Sequence, residues 1–427
     1  MNFLTRLLAL AILSLSAVWA QQRPPSSEPA APSKAARPAP LILVSIDGFR
    51  PDYLQRGVTP TLAGLISEGA FAAQGMQPSF PSVTFPNHYT MVTGLTPDHH
   101  GIVNNTMVDP EIPDVLFTLS NPLALGDRRW WDQATPLWVS AQRQGLRSAT
   151  MFWPGSETDI QGVRPGDWRA YDARLSPEKR VDTVLEWMER PDATRPDLVT
   201  LYFETVDRAG HAYGPQGEQT TAAVAGIDRA LSRLIEGLKA RGRYAQSNLV
   251  IVSDHGMAPL SAQRVVLIDD LLDTESVQRF AAYGPLVGFT PLSGREAEVK
   301  QRLSEPHPHV QCWPKGELPK RFDYGHNPRV PPFICLAEIE WAFATRESLA
   351  RNPPVGGAHG YDPADPQMAA LFVGHGPAFA PGSQLKPFPN VDVYPLLARL
   401  LGIRPEPNQG RIEAFKGVLA PAVAPAH

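Results

Sequence analysis

The chain alternates short, unbroken apolar runs with segments whose apolar residues recur every three or four positions. "PLILVSIDG" (40–48), "RSATMFWPG" (147–155), "DLVTLYFETVD" (197–207), "SNLVIVSDHGM" (247–257) and "QMAALFVGHG" (367–376) are of the first kind. Short apolar runs without polar alternation predict strands buried on both faces. "TPTLAGLISEGA" (59–70) puts Leu62, Leu65 and Ile66 on one helical face. Further helices are predicted over 136–145, 176–190, 220–242 and 392–402. In the 176–190 segment Ser176 is the cap and Pro177 the first helical residue, where the missing N–H removes no bond. Buried strands alternating with helices predict an α/β fold, an α/β/α sandwich around a mostly parallel sheet. Residues 280–345 break this pattern with Pro, Gly and aromatics, and are expected to form a small inserted subdomain.

The two ends read differently. Residues 1–20 carry Arg6, then an apolar run, then small residues at Val18 and Ala20. This is the pattern of a signal peptide, and the run is short for a membrane span. Export is expected, to the periplasm or beyond the cell, with no stable membrane span after cleavage. Residues 21–39 are Pro/Ala/Ser-rich and read as a disordered linker, and 406–427 as a C-terminal tail. The catalytic domain is therefore expected over 40–405. In an exported chain the two cysteines, Cys312 and Cys335, permit one disulfide, with two buried thiols as the other reading. A net charge of −4 and a pI near 6.3 argue against a nucleic-acid duplex as partner.

"PSFPSVTFPNHYTMVTG" (78–94) frames Thr84 with Pro78, Pro81 and Pro86. The prolines predict a rigid bend rather than a regular strand or helix, with a helix starting behind it at "NHYTMVTG". Thr84 is then either a cap or a nucleophile. The acids and histidines bear on the choice. Asp47 ends the first strand, Asp207 and His211 follow "YFETV", Asp254 and His255 follow "LVIVS", and His359 lies in "GGAHGYD". In one parallel sheet these groups converge on one edge, where ligands gather. Asp and His side chains suit zinc at about 2.0–2.2 Å. Two such ions roughly 3.5–4 Å apart clamp the attacking and leaving oxygens of a phosphoryl transfer. A metal would also activate the threonine hydroxyl, which is otherwise a poor nucleophile.

"SIDGFRPDYL", the 78–110 stretch, "YFETVDRAGHAYGP", "VSDHGM" and "GGAHGYDP" together resemble the nucleotide pyrophosphatase/phosphodiesterase family of the alkaline phosphatase superfamily. The likeness runs from about residue 40 to 405 in the family's motif order, and looks like the compact, single-domain type found in bacteria. It implies an alkaline-phosphatase-like fold and two Zn²⁺ per chain. By position it implies that Asp47, Thr84, Asp254 and His255 hold one zinc, with Thr84 as nucleophile. Asp207, His211 and His359 would hold the other. Asn105 matches an asparagine that binds a phosphate oxygen, with Asn104 one position away. Phe85, Trp153 and Tyr171 match aromatics that hold a nucleobase. The implied activity is hydrolysis of nucleotide phosphodiester or pyrophosphate bonds through a phospho-threonine, releasing nucleoside 5′-monophosphates. Lysophospholipid or choline-phosphodiester cleavage, and phosphomonoester hydrolysis, are the alternatives within the superfamily.

Overall fold

The protein is described by a computed structural model over residues 37–281 and 284–420, so the expected signal peptide and most of the linker lie outside the described residues. The central sheet is built from β1 (Leu41–Ile46), β2 (Ala70–Ala72), β3 (Ser148–Met151), β4 (Asp167–Trp168), β5 (Leu198–Phe203), β6 (Asn248–Val252), β7 (Phe372–His375) and β8 (Ser383–Leu385). Their spatial order is β8-β2-β7-β6-β1-β5-β3-β4. β1 lies in the middle, with Leu41 opposite both Leu198 and Asn248 in parallel register. β7 runs antiparallel to β6 and β2, and the remaining pairs are parallel.

Alternate side chains of β1 enter separate cores, which is why its run is apolar throughout. Leu41 and Leu43 join one core, and Ile42, Val44 and Ile46 the other. The second core is covered by α1 (Pro60–Ser67), α4 (Pro177–Glu189), α5 (Thr205–Tyr213) and α6 (Glu218–Ala240), and the first by α2 (Thr84–Thr93), α3 (Leu137–Arg143) and α7 (Val393–Leu400). The architecture is the expected α/β/α sandwich. α6 buries Val224, Ile227, Leu231, Leu234 and Leu238 along one stripe. Its buried Asp228 accepts from the backbone N–H groups of Thr61 and Leu62 at 3.0 and 2.9 Å. That carboxylate caps α1, whose own N-cap side chain makes no capping bond.

Four short strands, Val277–Ala281, Leu286–Pro291, Val310–Pro314 and Phe333–Ala337, form a separate antiparallel sheet. It has its own core around Val287, Phe289 and Val299. Cys312 and Cys335 face each other across two of its strands and are joined as a disulfide. Arg329, from the loop before the last strand, is buried and donates to Asp109 Oδ2 at 2.6 Å and to the carbonyls of Gly101 and Trp130. Beyond residue 405 the chain keeps packing. Phe415 is fully buried against Phe372 and Phe388, and burial of such a ring contributes about 1.5–3 kcal/mol.

One local expectation is corrected. Thr84 does not sit on a bend ahead of a helix: it is the first residue of α2, with Val83 as N-cap. The rigid turn ends one residue earlier. Pro86 falls in the first helical turn, where its missing N–H has no intrahelical partner to lose.

Candidate active site and metal centre

Three strands of the sheet deliver the acids to one edge. Asp47 follows β1, Asp254 and His255 follow β6, and α5, which leaves the end of β5, carries Asp207 and His211. The sequence pattern read Asp207 and His211 as strand-end residues. They lie instead one turn apart on α5, a spacing that puts both on the same helix face. His359 comes from the loop after a two-residue bridge at Gly357–Ala358. That loop presses against α5 so closely that a Cβ on Gly356 would lie 1.9 Å from the His211 carbonyl, and Gly356 has φ +75°. Only glycine fits both constraints.

The side chains form two triads. Asp47, Asp254 and His255 make one and Asp207, His211 and His359 the other, each with one ligand atom per residue within 4.8 Å of the others. His255 Nε2 lies 3.0 Å from Asp254 Oδ2 and 3.5 Å from Asp47 Oδ1. His211 Nε2 lies 3.4 Å from Asp207 Oδ1 and 3.1 Å from His359 Nε2. The His255 and His359 rings stack at 3.5 Å, so the triads adjoin. Thr84 Oγ1 is 3.3 Å from His255 Nε2.

Several features fit this set to divalent cations. Each of the three histidines gives its Nδ1–H to a backbone carbonyl: His255 to Gly256, His211 to Gly357 and His359 to Ser82, all at 2.9 Å. This fixes the tautomer that turns an Nε2 lone pair into the cluster. Asp47 Oδ1, Asp207 Oδ1 and Asp254 Oδ2 are buried without a hydrogen-bond partner among the described residues. Burial, then the charges of Asp254 and Asp207, push the Asp47 carboxyl well above its usual range. Burial likewise raises Asp207 against the pull of His211 and His255. Burial also opposes ionisation of Asp254, but His255, His88 and His359 outweigh it and hold that carboxyl far below the usual range. Burial, then His255 and His211, push the His359 imidazole well below its usual range. Crowded carboxylates with unpaired oxygens, facing inward-turned Nε2 atoms, are what a cation relieves.

Residues not singled out from the sequence complete the site. Tyr202 Oη donates to Asp47 Oδ2 at 2.6 Å. His88, one turn after Thr84, has both ring nitrogens engaged, by the Thr84 carbonyl and Ser45 Oγ, each at 2.8 Å. That leaves it no lone pair for a metal. Ser82 contributes only a carbonyl, which no sequence pattern reveals. Tyr202 did carry a signal: it is the one polar-tipped aromatic in the strand Leu198–Phe203.

Next to Thr84 opens a cavity of about 170 Å³ lined by Phe85, Leu119, Trp131, Phe152, Trp153 and Tyr171, with Asp47 and Asp207 at the end where the triads lie. Tyr171 is 47 % exposed at its mouth, whereas Trp153 is 3 % exposed and donates its indole N–H to the His88 carbonyl. Asn105 Oδ1 accepts from the Phe85 N–H at 2.9 Å, the residue after Thr84. Asn104 Oδ1 accepts instead from the Asn105 N–H, so it shapes the turn.

The family described as type I phosphodiesterase / nucleotide pyrophosphatase matches residues 41–362. An uncharacterized pyrophosphatase/phosphodiesterase of Schizosaccharomyces pombe is 38 % identical over 389 residues, 87 % of this chain and 79 % of that one. Ectonucleotide pyrophosphatase/phosphodiesterase family member 1 of Mus musculus is 36 % identical over 93 % of this chain, which spans only 45 % of it. Among solved structures, murine ectonucleotide pyrophosphatase/phosphodiesterase 5 superposes with a TM-score of 0.84 at 34 % identity, covering 89 % of this chain and all of that one. The same murine protein has also been solved as an inactive threonine-to-alanine variant in complex with AMP. With the family match spanning most of the described domain and the relatives sharing its fold, the chain belongs to the type I phosphodiesterase / nucleotide pyrophosphatase family of hydrolases.

Proposed function

We propose that this protein is a two-zinc phosphodiesterase that hydrolyses nucleotide phosphodiester or pyrophosphate bonds and releases nucleoside 5′-monophosphates. The observation that carries this reading is one threonine hydroxyl set beside two Asp/His triads at the metal end of an aromatic cavity. Asp47, Asp254 and His255, with Thr84, would hold one ion, and Asp207, His211 and His359 the other. When bound, the ions supply Lewis-acid stabilisation of attacking and leaving oxygens and lower the pKa of a bound hydroxyl or water.

The chain's own residues do the rest. Thr84 Oγ1 gives up its proton to solvent and attacks phosphorus in line; the P–O bond to the leaving group breaks, and its oxygen departs with the electron pair and is protonated from solvent. Water then attacks the phospho-threonine, and Oγ1 leaves and regains its proton. Asn105, with Oδ1 anchored on the Phe85 N–H, offers its Nδ2 to a non-bridging phosphate oxygen. Phe85 and Tyr171 offer ring faces to the nucleobase, and Trp153 forms the floor. Relatives support a nucleotide substrate: a Xenopus laevis protein 35 % identical to this chain is named a bis(5′-adenosyl)-triphosphatase, and the murine variant binds AMP. The cavity lining includes no Lys or Arg, whereas a doubly charged monoester favours an arginine clamp. The ecto- and venom names of relatives, and the disulfide, support export.

The test is a pair of rates on metal-loaded protein, with thymidine 5′-monophosphate p-nitrophenyl ester and with p-nitrophenyl phosphate. A strong, chelator-sensitive preference for the nucleotide ester is expected; a monoester preference would move the protein to a phosphatase reading. Phe85→Ala is expected to lower kcat/KM for the nucleotide ester by about 1–3 kcal/mol of lost stacking, and to spare bis-p-nitrophenyl phosphate. Equal losses on the two esters would remove the base contact. His359→Ala is expected to bring bound metal from two ions to one, read by elemental analysis; two ions in that variant would sink the ligand assignment.

A further inference from the structure

Arg180 is 1 % exposed on α4 and lies outside every motif that marked the site. Its guanidinium makes a bidentate pair with buried Glu204, at 2.5 and 2.9 Å. It also donates to the carbonyls of Leu175 and Tyr202, both at 2.9 Å. Its remaining faces meet aromatic rings, 5.0 Å from the Phe152 centroid and 6.0 Å from that of Tyr171. Phe152 and Tyr171 are themselves in edge contact at 5.2 Å and form one wall of the cavity. Phe152 holds a φ of +67°, a conformation that bulky residues adopt only when their surroundings impose it. Glu204 is the N-cap position of α5, three residues before Asp207, and Tyr202 donates to Asp47.

One buried cation therefore ties the aromatic wall to the segment that carries Asp207 and His211 of one triad and, through the Tyr202 phenol, touches Asp47 of the other. A buried ion pair is a weak source of net stability. Arginine's rigid, planar fork is suited to fixing several groups in one geometry. We propose that Arg180, through Glu204, is a positioning residue that sets the Phe152–Tyr171 wall at the distance from the metal end needed to seat a nucleoside 5′-phosphate. The proposal rests on the reading of the cavity as a nucleobase pocket.

The experiment compares Arg180→Met, Arg180→Lys and the double variant Arg180→Met/Glu204→Leu in the metal-loaded full chain. Leaving Glu204 buried and unpaired is strongly destabilising, whereas removing both charges together is tolerated far better. The double variant therefore decides the matter if Arg180→Met does not fold. Steady-state kinetics use the thymidine nucleotide ester and bis-p-nitrophenyl phosphate, and calorimetry measures the Kd of thymidine 5′-monophosphate. Expected are a KM for the nucleotide ester and a Kd raised about tenfold or more. kcat should change less than about threefold, as should both constants for bis-p-nitrophenyl phosphate. Arg180→Lys should fall between wild type and Arg180→Met. A folded double variant with wild-type KM and Kd would overturn the proposal, and so would equal losses on both esters, which mark a structural pillar. A wild-type protein without preference for the nucleotide ester would overturn the base-pocket reading and the proposal with it.

Discussion

Thr84→Ala is expected to lower kcat on the thymidine nucleotide ester by at least about 10³-fold, since removal of a nucleophile costs that much or more in hydrolases with covalent intermediates. The variant should keep its metal, because Asp47, Asp254 and His255 converge without the hydroxyl. It should also keep its fold. Thr84 opens α2, its side chain caps nothing, and alanine is the better helix former. Nucleotide binding should survive, since Thr84 lines the cavity only at one point and its aromatic walls are left intact. Rates, elemental analysis and calorimetric binding of thymidine 5′-monophosphate check the three parts separately. A variant within tenfold of wild-type kcat would show that the attacking oxygen is not Oγ1. A variant that lost metal and activity together would assign Thr84 a structural share in the site.

Chelation is expected to abolish turnover and also to destabilise the molecule. Three buried carboxylate oxygens in the two triads have no hydrogen-bond partner, and Asp47 and Asp207 are raised by burial and by neighbouring carboxylates. A cation bound at a thousand times its Kd stabilises the folded state by about 4 kcal/mol. For a domain of this length that is a shift of roughly 5 °C in Tm per site. Differential scanning calorimetry with and without chelator reads it directly, and added Zn²⁺ should restore both Tm and rate. Because the ligands must be deprotonated to bind, retention of metal should weaken as pH falls. An unchanged Tm after verified metal removal would mean that the unpaired carboxylates are relieved in another way.

Much of this site was legible along the chain, for a physical reason. A strand buried on both faces must be apolar, so β1, β5 and β6 stand out as runs. An acid placed where such a run ends is conspicuous, as with Asp47 and Asp254. Parallel strands bring their carboxyl ends to one edge by topology alone, so residues 160–207 apart in sequence could be assembled on paper. The start of α2 was read a few residues late because the prolines dominated the local pattern. In the fold, Pro86 occupies a position in the first turn where it costs no bond.

By itself, the sequence determined the sandwich, the acids and histidines at its edge, and the hydroxyl among them, because periodicity and strand ends are local properties. Only the tertiary structure decided how those groups are held. The Ser82 and Gly357 carbonyls that fix two of the imidazoles, the Tyr202 phenol on Asp47 and the Arg180–Glu204 pair behind the aromatic wall are contacts between separate segments. A backbone carbonyl is the same in every residue, and an arginine on a helix reads as solvated until the neighbours that bury it are known. Orientation of this kind is set by packing across the sheet, and packing is not written at any single position.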